Sequence, residues 1–259
     1  MKKSVLMLAL LGMGGSLSNV AMAEDAAPES PHSFSYNVGL YSQYIFRGLT
    51  QTGEEPAIQG GVDYAHSSGF YAGAWASNIS WLEDAGAYKN SSLELDVYGG
   101  YANSIGETGI DYNVGLLQYL YPGSKNAGVK SADTTEVYGS LGYKWVTGKV
   151  SVVASDGAFG LDNADGSWYA ELNADIPVAE TGISAVLHLG RQEFSGSSAG
   201  TDNSVFDYTD WKIGATKSWD NGVNLGAYYT DTNGKKSAWT IAGENIAKEQ
   251  FTVFVQKTF

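Results

Sequence analysis

The feature that most constrains this chain is an alternation of apolar and polar residues that runs along nearly its whole length. Between Phe34 and Phe46 most of the aromatic and aliphatic side chains fall on one face, while Asn37, Gln43 and Arg47 fall on the other. A period of two predicts β-strands with one apolar and one polar face. Twelve segments show this pattern: 34–47, 57–66, 69–79, 92–102, 109–120, 135–145, 149–156, 167–176, 182–192, 208–218, 222–230 and 250–259.

The connections between these segments are alternately long and short, and the first is long. The long ones are 48–56, 80–91, 121–134, 157–166, 193–207 and 231–249, and the short ones are 66–68, 103–108, 146–148, 177–181 and 219–222. Outer-membrane barrels have long outer loops, short periplasmic turns and an even strand number, whereas a soluble sandwich has no reason to keep its long loops at one end. We therefore predict an all-β fold, a transmembrane antiparallel up-and-down β-barrel of about 12 strands with periplasmic termini.

The start of the chain has the three-part pattern of a secretory signal. Two lysines precede an apolar stretch at 5–11, and Ala-Met-Ala at 21–23 matches an A-x-A cleavage site. No later stretch approaches the roughly 18 apolar residues of a membrane helix. The predicted division is a signal peptide at 1–23, a flexible N-terminal segment at 24–33 and an outer-membrane β-barrel at 34–259. The predicted location is the bacterial outer membrane.

The end of the chain adds a second signal for that location. Phe251, Val253 and Val255 alternate with polar residues, and the chain ends on the aromatic Phe259. Outer-membrane barrels commonly end in this way. We therefore expect two partners here, the outer-membrane lipid and the barrel insertion machinery, which would recognise Phe259.

Composition excludes several classes of function. The chain has 28 acidic and 15 basic residues and a net charge of −13, which argues against a nucleic-acid partner, because phosphate binding needs clustered Lys and Arg. It has no Cys, so thiolate metal sites and disulfides are impossible. No Gly-rich phosphate cradle is present, and we expect no cofactor. The 33 Gly and 17 Tyr fit barrel-shaping positions and aromatic girdles.

Three stretches of the sequence resemble a known family. They are YIFRGLTQTGEEPAIQGGVDYAHSSGFYAGAWASNISW at 44–81, LELDVYGGY at 93–101 and DYNVGLLQYLYPG at 111–123. They resemble the TorF-like putative porins, which are conserved hypothetical outer-membrane proteins of bacteria. The resemblance implies an outer-membrane barrel and pore formation, and it implies no catalytic motif and no particular substrate.

The polar strand faces supply the candidate pore-lining residues. Arg47, Lys144 and Lys212 are basic, and the acidic candidates outnumber them eight to three. Rings of carboxylates favour cations in a pore. The acidic candidates are Asp63, Glu94, Asp96, Asp111, Glu136, Glu171, Asp175 and Asp210.

Two readings of these charges stay open. They line a conducting constriction, or they form ion pairs that only fill the lumen, in which case the Arg47 guanidinium is suited to bridge two carboxylates. Inward tyrosines such as Tyr98 and Tyr169 are expected to fill the core. The faces of segment 69–79 are ambiguous, although Tyr71 and Trp75 suit the lipid side.

Enzyme and metal chemistry find little support. The His residues are His32 in the N-terminal segment, His66 at a short turn and His188, which shares an inward face with Ser184 and is expected to be a hydrogen-bonded histidine rather than a catalytic base. The acidic loop 161–166 lacks a full EF-hand pattern, so we expect a plain turn there.

The sequence thus predicts a non-enzymatic, porin-like channel for passive diffusion of small polar or cationic solutes. One alternative is a plugged structural barrel whose long loops, especially 193–207 and 231–249, meet a partner. An outer-membrane hydrolase is a third, less favoured possibility.

Overall fold

The alternating segments form twelve β-strands, which close into one antiparallel barrel in the computed structural model of residues 30–259. The predicted all-β, twelve-stranded barrel is therefore confirmed. The predicted signal peptide at 1–23 lies outside the described residues, as does most of the segment 24–33. The strands are β1 His32–Tyr41, β2 Ala57–His66, β3 Phe70–Asn78, β4 Leu93–Ser104, β5 Ile110–Leu120, β6 Thr134–Tyr143, β7 Val146–Val153, β8 Trp168–Pro177, β9 Ile183–Glu193, β10 Tyr208–Ser218, β11 Val223–Thr232 and β12 Gln250–Thr258.

The barrel closes because the first strand pairs with the last. Strand β1 pairs with β2 along one edge and with β12 along the other, where Asn37 lies opposite Thr258 and Tyr41 lies opposite Phe254. Each barrel strand is thus hydrogen-bonded on both sides, which leaves no open sheet edge.

The outward side chains form an exposed apolar surface. Leu40, Leu116, Leu172 and Ile213, which lie on four different strands, are between 52% and 59% exposed. Soluble monomers rarely expose a continuous apolar surface of this kind, so this is the face expected to meet lipid. Outward aromatic residues lie near both ends of the barrel, as predicted: Phe34, Tyr101, Tyr143, Trp145, Trp219 and Phe259 at one end, and Trp168, Trp211, Tyr229 and Phe251 at the other. Within residues 30–259, no helix is both long enough and apolar enough to cross a membrane.

The predicted alternation of long and short connections is also confirmed. The short turns, at 67–69, 105–109, 144–145, 178–182 and 219–222, lie at one end of the barrel, together with His32 and Phe259. We call this the short-turn end and the opposite one the long-loop end. The long loops carry the remaining elements: helix α1 Trp81–Asp84, a 3₁₀ turn Asn203–Phe206, and three ribbons, Ile45–Phe46 with Leu49–Thr50, Ser197–Ser198 with Thr201–Asp202, and Thr240–Ile241 with Glu244–Asn245.

Two predicted segments are wrong in their limits. Strand β1 begins at His32, inside the segment predicted to be flexible, and ends at Tyr41 rather than at Arg47. The turn between β6 and β7 is formed by Lys144 and Trp145 rather than by residues 146–148. Lys144 therefore lies outside the barrel wall, where its ammonium sits 5.3 Å from the ring centre of Tyr143.

Tyr71 and Trp75 on strand β3 face the lumen, whereas in the sequence they had suited the lipid side. Tyr71 is buried inside the barrel, and Trp75 lines the central cavity. The small residues Ala72, Ala74 and Ala76 face outward in alternation with them.

Inward glycines make room for the tyrosines of neighbouring strands. Gly73 on β3 lies opposite Tyr98 on β4, and a Cβ at Gly73 would stand 2.5 Å from the Tyr98 ring. Gly115 on β5 lies opposite Tyr138 on β6, where a Cβ would stand 2.6 Å from the phenol oxygen. These glycines are thus required for side-chain space as well as for strand bending.

Candidate functional site: the barrel lumen

Arg47 reaches the lumen from a loop rather than from a strand. It lies at the tip of the ribbon Ile45–Thr50, which folds into the barrel from the long-loop end; we call this segment the lumen ribbon. The Arg47 guanidinium donates to Glu136 Oε2 on β6 at 2.8 Å and to Gln192 Oε1 on β9 at 2.9 Å. The ion pair is buried, with the Arg47 and Glu136 side chains 7% and 1% exposed. The ribbon that begins beside β1 is therefore anchored on the far wall.

The tip of the lumen ribbon also packs closely against the barrel wall. Gly48 has a φ of 80°, and a Cβ at this position would stand 2.6 Å from Thr232 and 2.7 Å from Asp210. Only glycine combines this left-handed backbone with the absence of a side chain. The Arg47 guanidinium carbon lies 4.3 Å from the ring centre of Tyr169 and 4.7 Å from that of Phe46, which adds cation–π attraction.

The outer side of the lumen ribbon is covered by the long loops. Leu49 on the ribbon belongs to a buried apolar cluster with Phe194, Tyr208 and Ile246, against which Trp239 packs. A second cavity, of about 180 Å³, lies among these aromatic residues. The long-loop end is thus narrowed by a packed apolar layer above the ribbon.

The central cavity lies along the polar inner wall beside the lumen ribbon. Its volume is about 180 Å³, and both ribbon residues and strand residues line it. It brings together six of the predicted site residues: Arg47, Asp96, Glu171, Asp175, Asp210 and Lys212.

The other predicted residues lie elsewhere. Glu94 is buried and accepts a hydrogen bond of 2.7 Å from Tyr44. Glu136 forms the buried ion pair with Arg47. Asp63 accepts a hydrogen bond of 2.5 Å from Tyr98, closer to the short-turn end. Asp111 is exposed at that rim, beside Ser104.

Lys149 is a lumen residue that the sequence reasoning missed. It is buried on β7, with its ammonium 3.9 Å from Glu171 Oε1 and 4.8 Å from the ring centre of Tyr138. The alternation with Val150 and Val152, which are exposed, was the signal that could have placed it inward.

His188 is held in a network of hydrogen bonds, as expected for a histidine on the inner face. Nε2 lies 2.9 Å from both Asp210 Oδ1 and the Tyr169 hydroxyl, and Nδ1 lies 2.6 Å from Asn173 Oδ1. Ser184 is four residues away on the same strand, which corresponds to about 13 Å by strand rise. The two side chains therefore do not form a nucleophile and base pair.

The acidic loop 161–166 is joined by an ion pair to the loop that carries Lys130. Lys130 donates to Asp156 at 2.5 Å and to Asp162 at 2.6 Å. The hydrogen bond from the Lys130 ammonium lowers the pKa of Asp162. Over the part of the chain that the structure describes, no three His, Asp or Glu side chains are grouped closely enough to hold a metal ion.

The fold resembles solved outer-membrane porins. A KdgM porin matches with a TM-score of 0.54 and 8% identity over 87% of this chain and 99% of that chain. A KdgM porin in complex with disordered oligogalacturonate matches with a TM-score of 0.50 and 7% identity over 87% and 98%. The NanC porin matches with a TM-score of 0.50 and 9% identity over 88% and 99%. At identities this low, the structural likeness shows a shared fold alone.

The sequence itself matches one family model. Residues 25–259 match the model described as "Bacterial protein of unknown function (Gcw_chp)". No curated protein matches the sequence.

Proposed function

Because the chain belongs to the Gcw_chp family of bacterial proteins of unknown function and has the barrel fold of porins, we propose that it is an outer-membrane channel for passive diffusion of small polar solutes. The observation that carries this proposal is the central cavity, a space of about 180 Å³ lined by charged side chains inside a barrel with an apolar outer surface. Among the described residues, Asp96, Asp175 and Lys212 line this space without an ion pair within 4.0 Å, which favours a solute passage over a lumen that is only filled. The TorF-like resemblance of the sequence supports the same proposal.

We further infer a preference for cations. Lys149 replaces Lys144 among the inward basic residues, so eight acidic side chains still stand against three basic ones on the inner wall and lumen ribbon. An acidic surplus in a narrow, weakly polarisable passage attracts cations and repels anions. The same surplus argues against an acidic oligosaccharide, such as the oligogalacturonate bound by a KdgM porin, as the solute of this chain.

The test is conductance of the purified full barrel in planar lipid bilayers. We expect small discrete current steps in symmetric KCl and, in a KCl gradient, a reversal potential on the cation-selective side. Heat-denatured protein in the same detergent is the control. The channel proposal fails if the folded protein gives no steps above this control, and a reversal potential on the anion side contradicts the cation preference alone.

The second candidate function is a plugged barrel that acts through its outer loops. The observation that favours it is the apolar layer of Leu49, Phe194 and Trp239 over the anchored lumen ribbon. Absence of current from the intact barrel, with current steps that appear only after replacement of the lumen ribbon, is the outcome that this candidate requires.

We propose two partners of the assembled protein on the same basis. The exposed apolar band is suited to outer-membrane lipid. Phe259 is 68% exposed beside the end of β12 and is accessible to the barrel insertion machinery.

A further inference from the structure

We propose that the central cavity binds a small zwitterion, a solute with one ammonium group and one carboxylate group, between Asp96 and Lys212. This inference rests on the proposed channel function and names the class of solute that the channel would admit.

The two charged side chains lie on opposite walls. Asp96 is on β4 and Lys212 is on β10, and these strands are six positions apart in a closed ring of twelve. Both side chains line the same cavity. A solute in that cavity therefore meets a carboxylate on one side and an ammonium on the other.

Neither Asp96 nor Lys212 forms an ion pair within 4.0 Å among the described residues. Among the described residues, no carboxylate oxygen lies within 4.0 Å of Lys212 Nζ, and the recorded contact of this ammonium is the Tyr228 ring, at 5.2 Å from its centre. Asp96 is 3% exposed, and its buried oxygen Oδ1 has no hydrogen-bond partner in the described part of the chain. A buried carboxylate oxygen without a partner is costly, so a ligand that pairs with Asp96 and at the same time with Lys212 is favoured in this cavity.

The surrounding ionic groups are already engaged. Arg47 donates to Glu136 and to Gln192, and it makes no ion pair with Asp96 within 4.0 Å. Glu171 accepts a hydrogen bond from Asn173, and Asp210 lies 2.9 Å from His188 Nε2. Asp96, Asp175 and Lys212 are therefore the charged residues of the cavity lining without an ion pair within 4.0 Å, and of the two carboxylates it is Asp96 that lies across the barrel from Lys212.

Asp175 is the acidic residue that competes with this assignment. It lines the same cavity and, like Asp96, makes no ion pair within 4.0 Å among the described residues. Asp175 lies on β8, two strands from Lys212 around the barrel. If Asp175 bound the ammonium group of the solute, both charged groups of the solute would be held on the same wall. The experiment has to separate these two arrangements.

The size and walls of the cavity restrict the ligand further. A volume of about 180 Å³ accommodates a solute of the size of an amino acid. The rings of Tyr98, Tyr138 and Tyr228 also line the cavity and can pack against a hydrocarbon side chain. A solute with only one charge would leave either Asp96 or Lys212 unpaired.

The test is calorimetric titration of the detergent-solubilised full barrel with L-leucine, L-leucinamide and 4-methylpentanoate, three probes with the same hydrocarbon part. We expect leucine to bind at least about tenfold more tightly than either singly charged probe, because each hydrogen-bonded charge contributes to affinity. Equal affinity for the three probes, or no heat of binding with leucine, would overturn the proposal.

Variants locate the site. Asp96→Asn and Lys212→Gln are each expected to weaken leucine binding at least about tenfold. Lys217→Gln, on the outer face of the same strand as Lys212, and Asp231→Asn, at the long-loop end of β11, are the matched controls and should leave binding unchanged. Loss of binding in Asp175→Asn with retention in Asp96→Asn would refute the placement across the lumen. Retained heat-modifiable mobility on gels establishes that each variant is folded.

Because this titration needs no membrane, its failure is distinguishable from failure of the channel proposal. Current steps without leucine binding leave the channel standing and refute the zwitterion site. Leucine binding without current supports the site and contradicts the channel.

Discussion

Arg47 fixes the tip of the lumen ribbon against the barrel wall. Its guanidinium bonds Glu136 and Gln192 on two different strands and packs on the ring of Tyr169. Breaking a buried ion pair by removing one partner is strongly destabilising, because the other charge is left without compensation. We therefore expect the stability of the barrel and the width of its lumen to depend on the same side chain.

We predict that Arg47→Met lowers the free energy of unfolding by about 3–5 kcal/mol and enlarges the current steps. The ribbon tip loses its anchor on the far wall, and Glu136 is left as an unpaired buried charge. Urea unfolding in detergent micelles and bilayer recordings are the two measurements.

The control for this prediction is Arg191→Met. Arg191 is 39% exposed and pairs with Glu193, which is also exposed, so the same change should alter neither quantity appreciably. In addition, Arg47→Met combined with Glu136→Gln should recover part of the lost stability but keep the larger current steps. Unchanged steps in Arg47→Met would rule out the ribbon anchor as the cause of the narrow lumen.

The sequence predicted that Arg47 faces the lumen, but not how it gets there. The apolar residues Tyr44 and Phe46 continue the alternation beyond Tyr41, and alternation alone does not distinguish a barrel strand from a short ribbon. The mistake at Lys144 has a similar origin. Gly148 suggested a turn, whereas the chain turns at Lys144, a non-glycine residue with a φ of 54°.

At the scale of elements, β3 illustrates the limit of alternation as a guide to facing. Tyr71 and Trp75 suit a lipid face and a lumen equally well, and the sequence offers no charge on this strand to decide. Tertiary contacts decide instead. Trp75 packs edge-on against Tyr44 beside the lumen ribbon at 5.4 Å between ring centres, and Tyr71 donates a hydrogen bond of 2.6 Å to Asn113 on β5.

The lumen ribbon is the element that we expect to control passage. Replacing residues 45–50 by two glycines should increase single-channel conductance, because it removes Arg47 and the apolar residues that narrow the long-loop end. The measurement is conductance in symmetric KCl.

Replacing the ribbon 197–202 by two glycines is the matched control. This second ribbon consists mainly of exposed residues of a long loop and has no residue in the lining of the central cavity. If both replacements change conductance equally, the effect comes from general loosening of the loops rather than from the lumen ribbon.

At the scale of the whole molecule, the fold was the most predictable property. The sequence predicted the strand number, the antiparallel order and the alternation of long and short connections. It could do so because one face of each strand must be apolar and because long and short polar segments alternate regularly between the strands. The lumen was less predictable. Which inward charges line the central cavity depends on the path of the lumen ribbon, and that path has no periodic signal.

The orientation of the barrel in the membrane remains a prediction, with the long loops outside and the short turns in the periplasm. The chain has no Cys, so single-cysteine variants can be labelled without background. In intact cells, a membrane-impermeant maleimide should label Ala199→Cys in a long loop and should not label Glu180→Cys in a short turn.

Labelling after permeabilisation of the outer membrane is the control, and both variants should then react. Labelling of Glu180→Cys alone in intact cells would reverse the predicted orientation. Both positions are outside the strands, so neither substitution removes a barrel contact.

The seam between β1 and β12 has a consequence for the order of events during assembly. The partner of Asn37 is Thr258, almost at the other end of the chain, so the barrel wall cannot close before the last strand has arrived. Until that moment β1 offers one unpaired edge with exposed apolar residues such as Phe34 and Leu40. On the proposed route to the outer membrane, the chain would therefore need protection from aggregation until the barrel closes, and a truncation that removes only residues 250–259 should leave it permanently in the unclosed state.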